Sequence, residues 1–212
     1  DCDTEVVVAD LGTPEGIGLA IAHIEGIDLL VNNAGFGSFG PFAQMDPTEQ
    51  AQMIQVNCLA PVQLTSAILP RLVEANRGCI VNIASGMAFT SMPFMSTYAA
   101  SKSFLVRWSE GLSGELHGTD VQCVAICPGT FESEFADVSR VPVADIPGSA
   151  LVTYSIESVV KATMSAINGR RAIVVPGTIN WLASVTNALV PRVLLRWLLG
   201  AILGPKARQI ND

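Results

Sequence analysis

A tyrosine and a lysine four positions apart are the first residues in this sequence whose spacing predicts chemistry. Tyr98 and Lys102 would lie one turn apart on the same face of a helix. A phenol, with a pKa near 10, exchanges protons poorly at neutral pH unless a nearby cation stabilises the phenolate. The Lys102 ammonium supplies that field, and the Ser85 hydroxyl can bind the same substrate oxygen. These three residues predict an acid–base site for proton transfer at a carbonyl group.

The segments around this pair alternate short β-branched runs with longer helical stretches. Such alternation is typical of βαβ units around a parallel sheet, so the fold class is predicted to be α/β. The predicted strands are almost continuously apolar, which indicates that helices cover both faces of the sheet. Strands are predicted at residues 5–9, 28–32, 79–84, 121–127 and 172–175, and helices near 14–24, 47–75, 96–116 and 156–168.

Polar or small residues follow four of these strands. In a parallel sheet, ligands bind outside the carboxyl ends of the strands, so these exits are expected to line one rim. The stretch 128–155 is rich in Pro, Gly and Ser and is a candidate substrate loop or lid. The exits are Asp10-Leu11, Asn33-Ala34-Gly35, Ser85-Gly86 and Pro128-Gly129-Thr130.

Composition excludes several classes of protein. Half of the 212 residues are apolar and 15% are charged, which excludes a disordered or fibrous chain. Nineteen acidic residues against twelve basic ones give a net charge of −7, which argues against a nucleic-acid partner. The five cysteines and two histidines form no ligand-spaced motif, so no metal site is predicted. Reduced, buried thiols are expected, as in a cytoplasmic protein.

The C-terminal part of the chain differs from the rest. Residues 179–204 are strongly apolar but contain Pro191, Arg192 and Arg196. A membrane-spanning helix needs about 20 mostly apolar residues, and two arginines near its middle are costly. Three interpretations stay open: an interfacial helix on a membrane, a hydrophobic lid over the site, and a plain core or dimer-interface helix.

Five motifs, in their order and spacing, resemble the short-chain dehydrogenase/reductase superfamily. They are Asn32-Asn33-Ala34-Gly35, Asn57, Ser85, Tyr98-x-x-x-Lys102 and Pro128-Gly129. The resemblance covers about residues 5–175 and implies a Rossmann-like, doubly wound parallel sheet flanked by helices. It also implies an NAD(P)-dependent oxidoreductase that interconverts a carbonyl and an alcohol on a hydrophobic small molecule. NADP(H) is favoured over NAD(H) as the cofactor.

The resemblance also implies a role for each catalytic residue. Tyr98 would be the acid–base group, and Lys102 would lower its pKa and bind the nicotinamide ribose. Ser85 would hold the substrate oxygen, and Asn57, in a kinked helix, would anchor a water of the proton relay.

The implied cofactor contacts extend along the rim. Asp10 would sit at the adenine, residues 33–35 along the adenosine ribose, and residues 128–133 beside the nicotinamide. The whole set is Asp10, Leu11, Asn33, Ala34, Gly35, Ile83, Tyr98, Lys102, Pro128, Gly129, Phe131 and Ser133. Substrate contacts are expected from Ser85, Met87, Phe94 and Tyr98, although Met87 and Phe94 would equally serve to pack their loop.

Members of this superfamily begin with a strand, a Gly-rich turn and a helix that holds the pyrophosphate. Residues 13–18 resemble that turn only superficially and are predicted to be the start of a Pro-initiated helix. We therefore expect about 50–60 residues, two strand–helix units, to be absent from the front of a domain spanning residues 1–178. The chain alone is expected to bind dinucleotide weakly or not at all, and to be unstable. Residues 179–212 are assigned as an apolar helical extension.

Two alternatives to the oxidoreductase function stay open. One is a non-catalytic binding module that kept the fold, and the other is a membrane-surface reductase of lipid or sterol-like substrates that uses the apolar tail. The expected partners are a small carbonyl or alcohol substrate and, for the complete protein, identical subunits in a dimer or tetramer. The expected location is cytoplasmic, with membrane association if residues 179–204 contact lipid.

Overall fold

The computed structural model describes residues 3–131 and 153–209. The main sheet contains β1 (Leu29–Asn32), β2 (Gly78–Ile83), β3 (Val121–Ile126) and β6 (Ile173–Val174), and a separate pair contains β4 (Thr130–Phe131) and β5 (Thr153–Tyr154). The main sheet is parallel with the order β1-β2-β3-β6. The helices are α1 (Pro14–His23), α2 (Pro47–Ile54), α3 (Ala60–Ala75), α4 (Ser96–Glu115), α5 (Ile156–Ile167), α6 (Thr178–Leu189) and α7 (Arg192–Gln209). The predicted α/β class is confirmed.

Both faces of β2 and β3 are covered, as the apolar strands predict, but only one face of β1 is, since its Leu29 and Val31 are 42% and 44% exposed. Successive side chains of a strand point to opposite faces. Ile80 of β2 packs with Leu72 of α3 and Leu112 of α4 on one face. On the other face, Val81 packs with Ala166 of α5. The described cysteines, Cys58, Cys79, Cys123 and Cys127, are free and buried, which confirms the expectation for these four.

The prediction of a buried strand at residues 5–9 is wrong. Val6 and Val8 are 81% and 89% exposed. In the described ranges, β1 pairs with β2 alone, and residues 5–9 join neither sheet. A strand requires a hydrogen-bonded neighbour, and a valine-rich sequence cannot supply one by itself.

The two predicted Pro-initiated helices are confirmed. Thr13 caps α1 by accepting a hydrogen bond from the Gly16 N–H at 3.0 Å. Asp46 caps α2 by accepting from the Thr48 N–H at 2.9 Å. A side-chain oxygen at this position satisfies a backbone donor of the first turn, and proline at the first helical position sacrifices no hydrogen bond. Residues 13–18 therefore start a helix.

The predicted helix at residues 47–75 is continuous but irregular. A π turn at Gln55–Leu59 separates α2 from α3. Among the described residues, this 29-residue stretch alone is long and apolar enough to pass as a membrane span, since it contains an 18-residue window with a mean hydropathy of 1.2. Its Ile68 and Leu72 are buried in the sheet core. The core helix of a globular domain passes the same test, so we assign it to the core.

Candidate active site

The strand register brings three of the predicted exits to one edge of the sheet. Asn32 is paired with Asn82, and Ile83 with Ile126. Beyond the strands, the Gly86 N–H donates to the Pro128 carbonyl at 2.7 Å. The residues that follow β1, β2 and β3 therefore begin at the same level, which is the arrangement of a ligand-binding rim.

Ser85, Tyr98 and Lys102 meet at this edge. Ser85 caps the 3₁₀ turn Gly86–Phe89, where its Oγ accepts from the Met87 N–H at 3.2 Å. Tyr98 and Lys102 come from the first two turns of α4, and the Lys102 Nζ lies 5.9 Å from the centroid of the Tyr98 ring. The side chain of Tyr98 is hydrogen-bonded to Ser85. The structure thus brings together the acid–base pair and the hydroxyl that the sequence singled out.

Lys102 is a buried cation. Its Nζ donates to the carbonyl of Ile83 at 2.8 Å. Burial lowers the pKa of Lys102 to about 8, and the neighbouring thiols of Cys58 and Cys127 oppose that shift. At neutral pH the side chain remains an ammonium held in a dry site, where its field is stronger than in water.

The pKa of Tyr98 differs from the expectation. Burial disfavours the phenolate and raises the pKa of Tyr98 to about 12, while the hydrogen bond with Ser85 acts in the opposite direction. Desolvation is the larger of these two effects, so the net shift is upward, and a lowering of this pKa by Lys102 stays a prediction. The phenol is therefore protonated at neutral pH and suited to donate a proton.

Asn57 holds the loop that follows β1. It lies fully buried in the π turn. Its Oδ1 accepts from the Phe36 N–H at 3.1 Å, and its Nδ2 donates to the Phe36 carbonyl at 2.9 Å and to Ser101 Oγ at 3.0 Å. Both amide donors are thereby used inside the protein. This side chain fixes the position of the rim loop, and its contact with a water remains a prediction.

A proline explains the kink expected at Asn57. In an α-helix, the N–H of residue 61 would bond the carbonyl of residue 57, but Pro61 has no N–H, and its ring would collide with that carbonyl. The wider π turn at Gln55–Leu59 accommodates the ring. The Asn57 carbonyl thus lacks its usual helical donor. The spacing Asn57-x-x-x-Pro61 was visible in the sequence and was overlooked.

Gly35 is packed against two of these residues. A Cβ at Gly35 would lie 2.9 Å from Asn57 Oδ1 and 3.2 Å from Lys102 Nζ. The Asn57 amide is held by hydrogen bonds on both ends, so it cannot move without losing one of them.

We expect Gly35→Ala to lower kcat/KM about tenfold or more, because the added methyl displaces Asn57 or Lys102. Gly18→Ala is the matched control, since a Cβ at Gly18 in α1 meets nothing within 4 Å. That control should leave turnover unchanged and stabilise the protein by about 0.5–1 kcal/mol through helix propensity. Steady-state kinetics and urea unfolding on both variants measure the effects. Equal kinetics for the two variants would contradict the prediction.

The rim fits a dinucleotide where the structure describes it. Asn33, Ala34 and Gly35 are exposed at the end of β1. The ammonium of Lys102 has three N–H donors, and one of them donates to the Ile83 carbonyl. The other two N–H groups are suited to donate to ribose hydroxyls. Asp10 is exposed in a turn in which its Oδ1 accepts from the Gly12 N–H at 2.8 Å, and the half-buried Leu11 follows it.

The remaining predicted cofactor residues lie after β3. Pro128 is buried, and Gly129 is half-buried beside it. Phe131 is described through its backbone in β4. Ser133, and most of the candidate lid at residues 128–155, lie outside the described residues.

Tyr98 belongs to an apolar cluster. The cluster also includes Leu203 and Ala207 from α7, with Met87 and Phe94 packed against it. Phe94 has a left-handed backbone (φ 66), which is unusual for a bulky residue and is found preferentially at functional sites. The end of the C-terminal tail thus packs against the site at this cluster. The cluster suits an apolar substrate, while Met87 and Phe94 also pack their loop.

Asn180 of α6 is a site residue that the sequence analysis missed. Its buried Nδ2 donates to the carbonyls of Cys127 at 3.1 Å and Pro176 at 3.3 Å. Its Oδ1 lies 2.9 Å from where a Cβ of Gly86 would be. Asn180 therefore fastens the tail to the end of β3, and it packs closely against Gly86 in the turn that follows Ser85. An asparagine in a strongly apolar helix was the available signal.

We expect Asn180→Leu to destabilise the protein by about 1–3 kcal/mol, because it leaves the buried Cys127 carbonyl without this donor. The exposed Asn168, whose Nδ2 donates to the Met164 carbonyl at 3.1 Å, is the control. Asn168→Leu should change the free energy of unfolding by less than about 0.5 kcal/mol. Urea unfolding of both variants is the measurement, and equal losses would show that Asn180 has no special role.

The sequence matches known proteins over most of its length. Residues 5–141 match the family described as short chain dehydrogenase. Ketoacyl reductase HetN from Nostoc sp. is 36% identical over 137 residues, which cover 64% of this chain and 48% of that protein. Very-long-chain 3-oxoacyl-CoA reductase from Pyrenophora tritici-repentis is 28% identical over 196 residues, covering 88% of this chain and 52% of that protein. The chain spans about half the length of these curated relatives.

Solved structures share the architecture. A short-chain dehydrogenase from Sphingobium yanoikuyae in complex with NADPH superposes with a TM-score of 0.72 at 26% identity, over 85% of this chain and 72% of that one. A short chain dehydrogenase/reductase from Burkholderia phymatum in complex with NAD superposes with a TM-score of 0.71 at 25% identity, over 84% of this chain and 73% of that one. These matches bear out the Rossmann-like parallel sheet. Together with the match over residues 5–141, they show that the chain belongs to the short-chain dehydrogenase family.

Proposed function

We propose that the protein is an NAD(P)-dependent oxidoreductase that interconverts a ketone and an alcohol on an apolar, acyl-type substrate. The observation that carries the proposal is the hydrogen-bonded pair Tyr98–Ser85 beside the buried ammonium of Lys102. This set stands at the carboxyl edge of the sheet, next to an apolar cluster. A scaffold that only binds ligands has no need of such an acid–base arrangement.

The chain's own residues handle the oxygen and the proton. The hydroxyls of Ser85 and Tyr98 converge and would hold the substrate carbonyl oxygen. Tyr98 gives its proton to that oxygen as negative charge develops there, and the Lys102 ammonium stabilises the phenolate that remains. Asn57 keeps the Gly35–Phe36 loop in place. A bound nicotinamide, held by Lys102 and the rim residues, would supply or accept the hydride.

The protonated form of Tyr98 is the form that the reductive reaction uses. The pKa of Tyr98, at about 12, means that a proton is available for donation at pH 7. Oxidation of an alcohol needs the phenolate as a base, which is scarce at that pH.

The cofactor is proposed to be NADP(H), with NAD(H) as the alternative. One solved neighbour is in complex with NADPH and another with NAD, so both support a nicotinamide dinucleotide. The ratio of kcat/KM for NADPH and NADH decides between them.

The substrate class follows from the cluster around Tyr98. Phe94, Met87 and Leu203 offer an apolar wall rather than charged partners. The names of two relatives, a ketoacyl reductase and a very-long-chain 3-oxoacyl-CoA reductase, describe carbonyls on acyl chains. We therefore propose a 3-oxoacyl compound as the substrate, and a homodimer or homotetramer in the cytoplasm as the working form of the complete protein.

The test is a reductase assay on the protein expressed from its natural reading frame. Oxidation of NADPH and of NADH is followed with 3-oxoacyl thioesters of increasing chain length, with a steroid ketone for comparison. The proposal predicts turnover and a kcat/KM that rises with acyl length, since each buried CH₂ contributes about 0.8 kcal/mol. Binding of dinucleotide without turnover of any carbonyl would instead support the non-catalytic binding module.

A further inference from the structure

We propose that the tail docks the protein on the surface of an anionic lipid bilayer. The docking surface consists of seven of the exposed apolar residues on α6 and α7, namely Trp181, Leu182, Val185, Val193, Leu194, Trp197 and Leu198. The inference concerns a lipid partner and stands independently of the catalytic proposal.

The spacing of these residues places them on one face of each helix. Trp181, Leu182 and Val185 are at positions i, i+1 and i+4 of α6. Residues 193, 194, 197 and 198 repeat that pattern on α7. Residues three and four apart share a helix face, so each helix presents an apolar stripe to solvent.

The opposite side of the tail is anchored in the domain. Asn180 binds the Cys127 carbonyl, and Leu203 and Ala207 are buried in the Tyr98 cluster. The first half of α7 is therefore exposed while its second half is packed. The exposed stripes are the sides of these helices that the described part of the domain leaves uncovered.

Two tryptophans dominate the surface. Trp181 is 55% exposed and Trp197 is 70% exposed. A large apolar side chain in water is unfavourable in proportion to its exposed area. Tryptophan is enriched at membrane–water interfaces because its ring is apolar and its N–H is polar. Both residues adjoin leucine and valine side chains that would enter the same boundary layer.

Charge favours anionic lipid as the partner. Residues 178–209 carry four basic side chains and no acidic one, whereas residues 1–177 carry eight basic and eighteen acidic ones. Arg192 and Arg196 are exposed beside Val193 and Trp197. Each arginine near an anionic bilayer contributes roughly 1 kcal/mol of attraction. In a two-fold contact between copies the same patch meets itself, so these arginines would face their own equivalents.

Flotation with lipid vesicles tests the inference on the protein expressed from its natural reading frame, without substrate or cofactor. We expect binding to vesicles of phosphatidylcholine with phosphatidylserine, weaker binding to phosphatidylcholine alone, and a decrease at high salt. The double variant Trp181→Ser/Trp197→Ser should lower the partition coefficient about tenfold or more. Arg192→Gln/Arg196→Gln should lower it to a similar extent on anionic vesicles alone.

The matched control lies on another helix. Val160 and Met164 of α5 are exposed by 53% and 56%, and Val160→Ser/Met164→Ser should leave lipid binding unchanged. The inference is overturned if the wild-type protein does not float with anionic vesicles, or if the α5 variant loses binding as much as the tryptophan variant. It is also overturned if sedimentation shows that the tryptophan variant dissociates an oligomer while lipid binding is absent. The salt dependence of vesicle binding is measured on the wild-type protein, so it tests the inference even if a variant fails to fold.

Discussion

Tyr98→Phe is expected to lower kcat by about 10²–10⁴-fold, the usual contribution of a general acid. The variant keeps the buried ring and removes the proton donor and the hydrogen bond to Ser85. Because the ring still fills its place in the apolar cluster, the free energy of unfolding should change by no more than about 1.5 kcal/mol. Steady-state kinetics with the reductase substrate and urea unfolding measure the two effects.

The chain contains a matched control for this substitution. Its second tyrosine, Tyr154 in β5, is half-buried. Tyr154→Phe removes the same atom at another place and should leave kcat within about twofold of wild type, since no catalytic role is assigned to it. Should Tyr98→Phe retain most of its turnover, the proton would have to come from elsewhere and the proposed mechanism would fall.

Lys102→Met is expected to lower turnover while it raises the stability of the folded protein at pH 7. Turnover should fall by about 10²-fold, because the phenolate of Tyr98 loses its stabilising charge. At pH 7 the variant should nevertheless be more stable, by up to about 3 kcal/mol. The reason is that burial lowers the pKa of Lys102 from 10.5 to about 8, and each pKa unit corresponds to about 1.4 kcal/mol.

The sign of this effect depends on pH. Between pH 8 and 10.5 the unfolded wild-type chain binds more protons at Lys102 than the folded protein does. Wild-type stability attributable to this residue therefore rises with pH through that window, and the advantage of the variant shrinks. Buried thiols such as Cys123, whose pKa is raised to about 12, are present in both proteins and largely cancel in the difference.

Urea unfolding at pH 7 and pH 10 measures that difference. Lys161 is exposed on α5, and Lys161→Met is the control, for which no comparable pH-dependent advantage is expected. An advantage of Lys102→Met that is constant across the two pH values would show that the ammonium is not desolvated in the folded protein.

The central strands were predictable because the sequence pattern that indicates them lies within each strand. β2 and β3 were found within one residue at each end, since continuous β-branched runs bounded by polar exits leave little alternative. Residues 5–9 have the same composition and form no strand in the structure. Pairing requires a neighbour at a distant point in the sequence, and composition does not report whether that neighbour is present.

The residues of the site were predictable, but the burial and the pKa values of their side chains were not. The spacing of Tyr98 and Lys102 on one helix implies their proximity. The pKa values of the two groups depend on desolvation by tertiary neighbours, such as Leu203 of α7 in the cluster around Tyr98, and a four-residue motif does not reveal these neighbours. Asn180 was missed for the same reason, because its partners Cys127 and Pro176 are brought to it by tertiary structure.

A π turn holds one residue more than an α-helical turn, so the helices on its two sides differ in phase by about 100°. This offset brings Met53 of α2, which lies in the cluster around Tyr98, and Leu72 of α3, which lies in the sheet core, onto nearly the same face of the combined helix. In a regular helix the two side chains, 19 residues apart, would point about 100° away from each other. The irregularity at Gln55–Leu59 therefore acts as a one-residue insertion that aligns the apolar faces of α2 and α3. Deleting a residue there would rotate α2 relative to α3 by about 100° and turn one of the two faces away from its cluster.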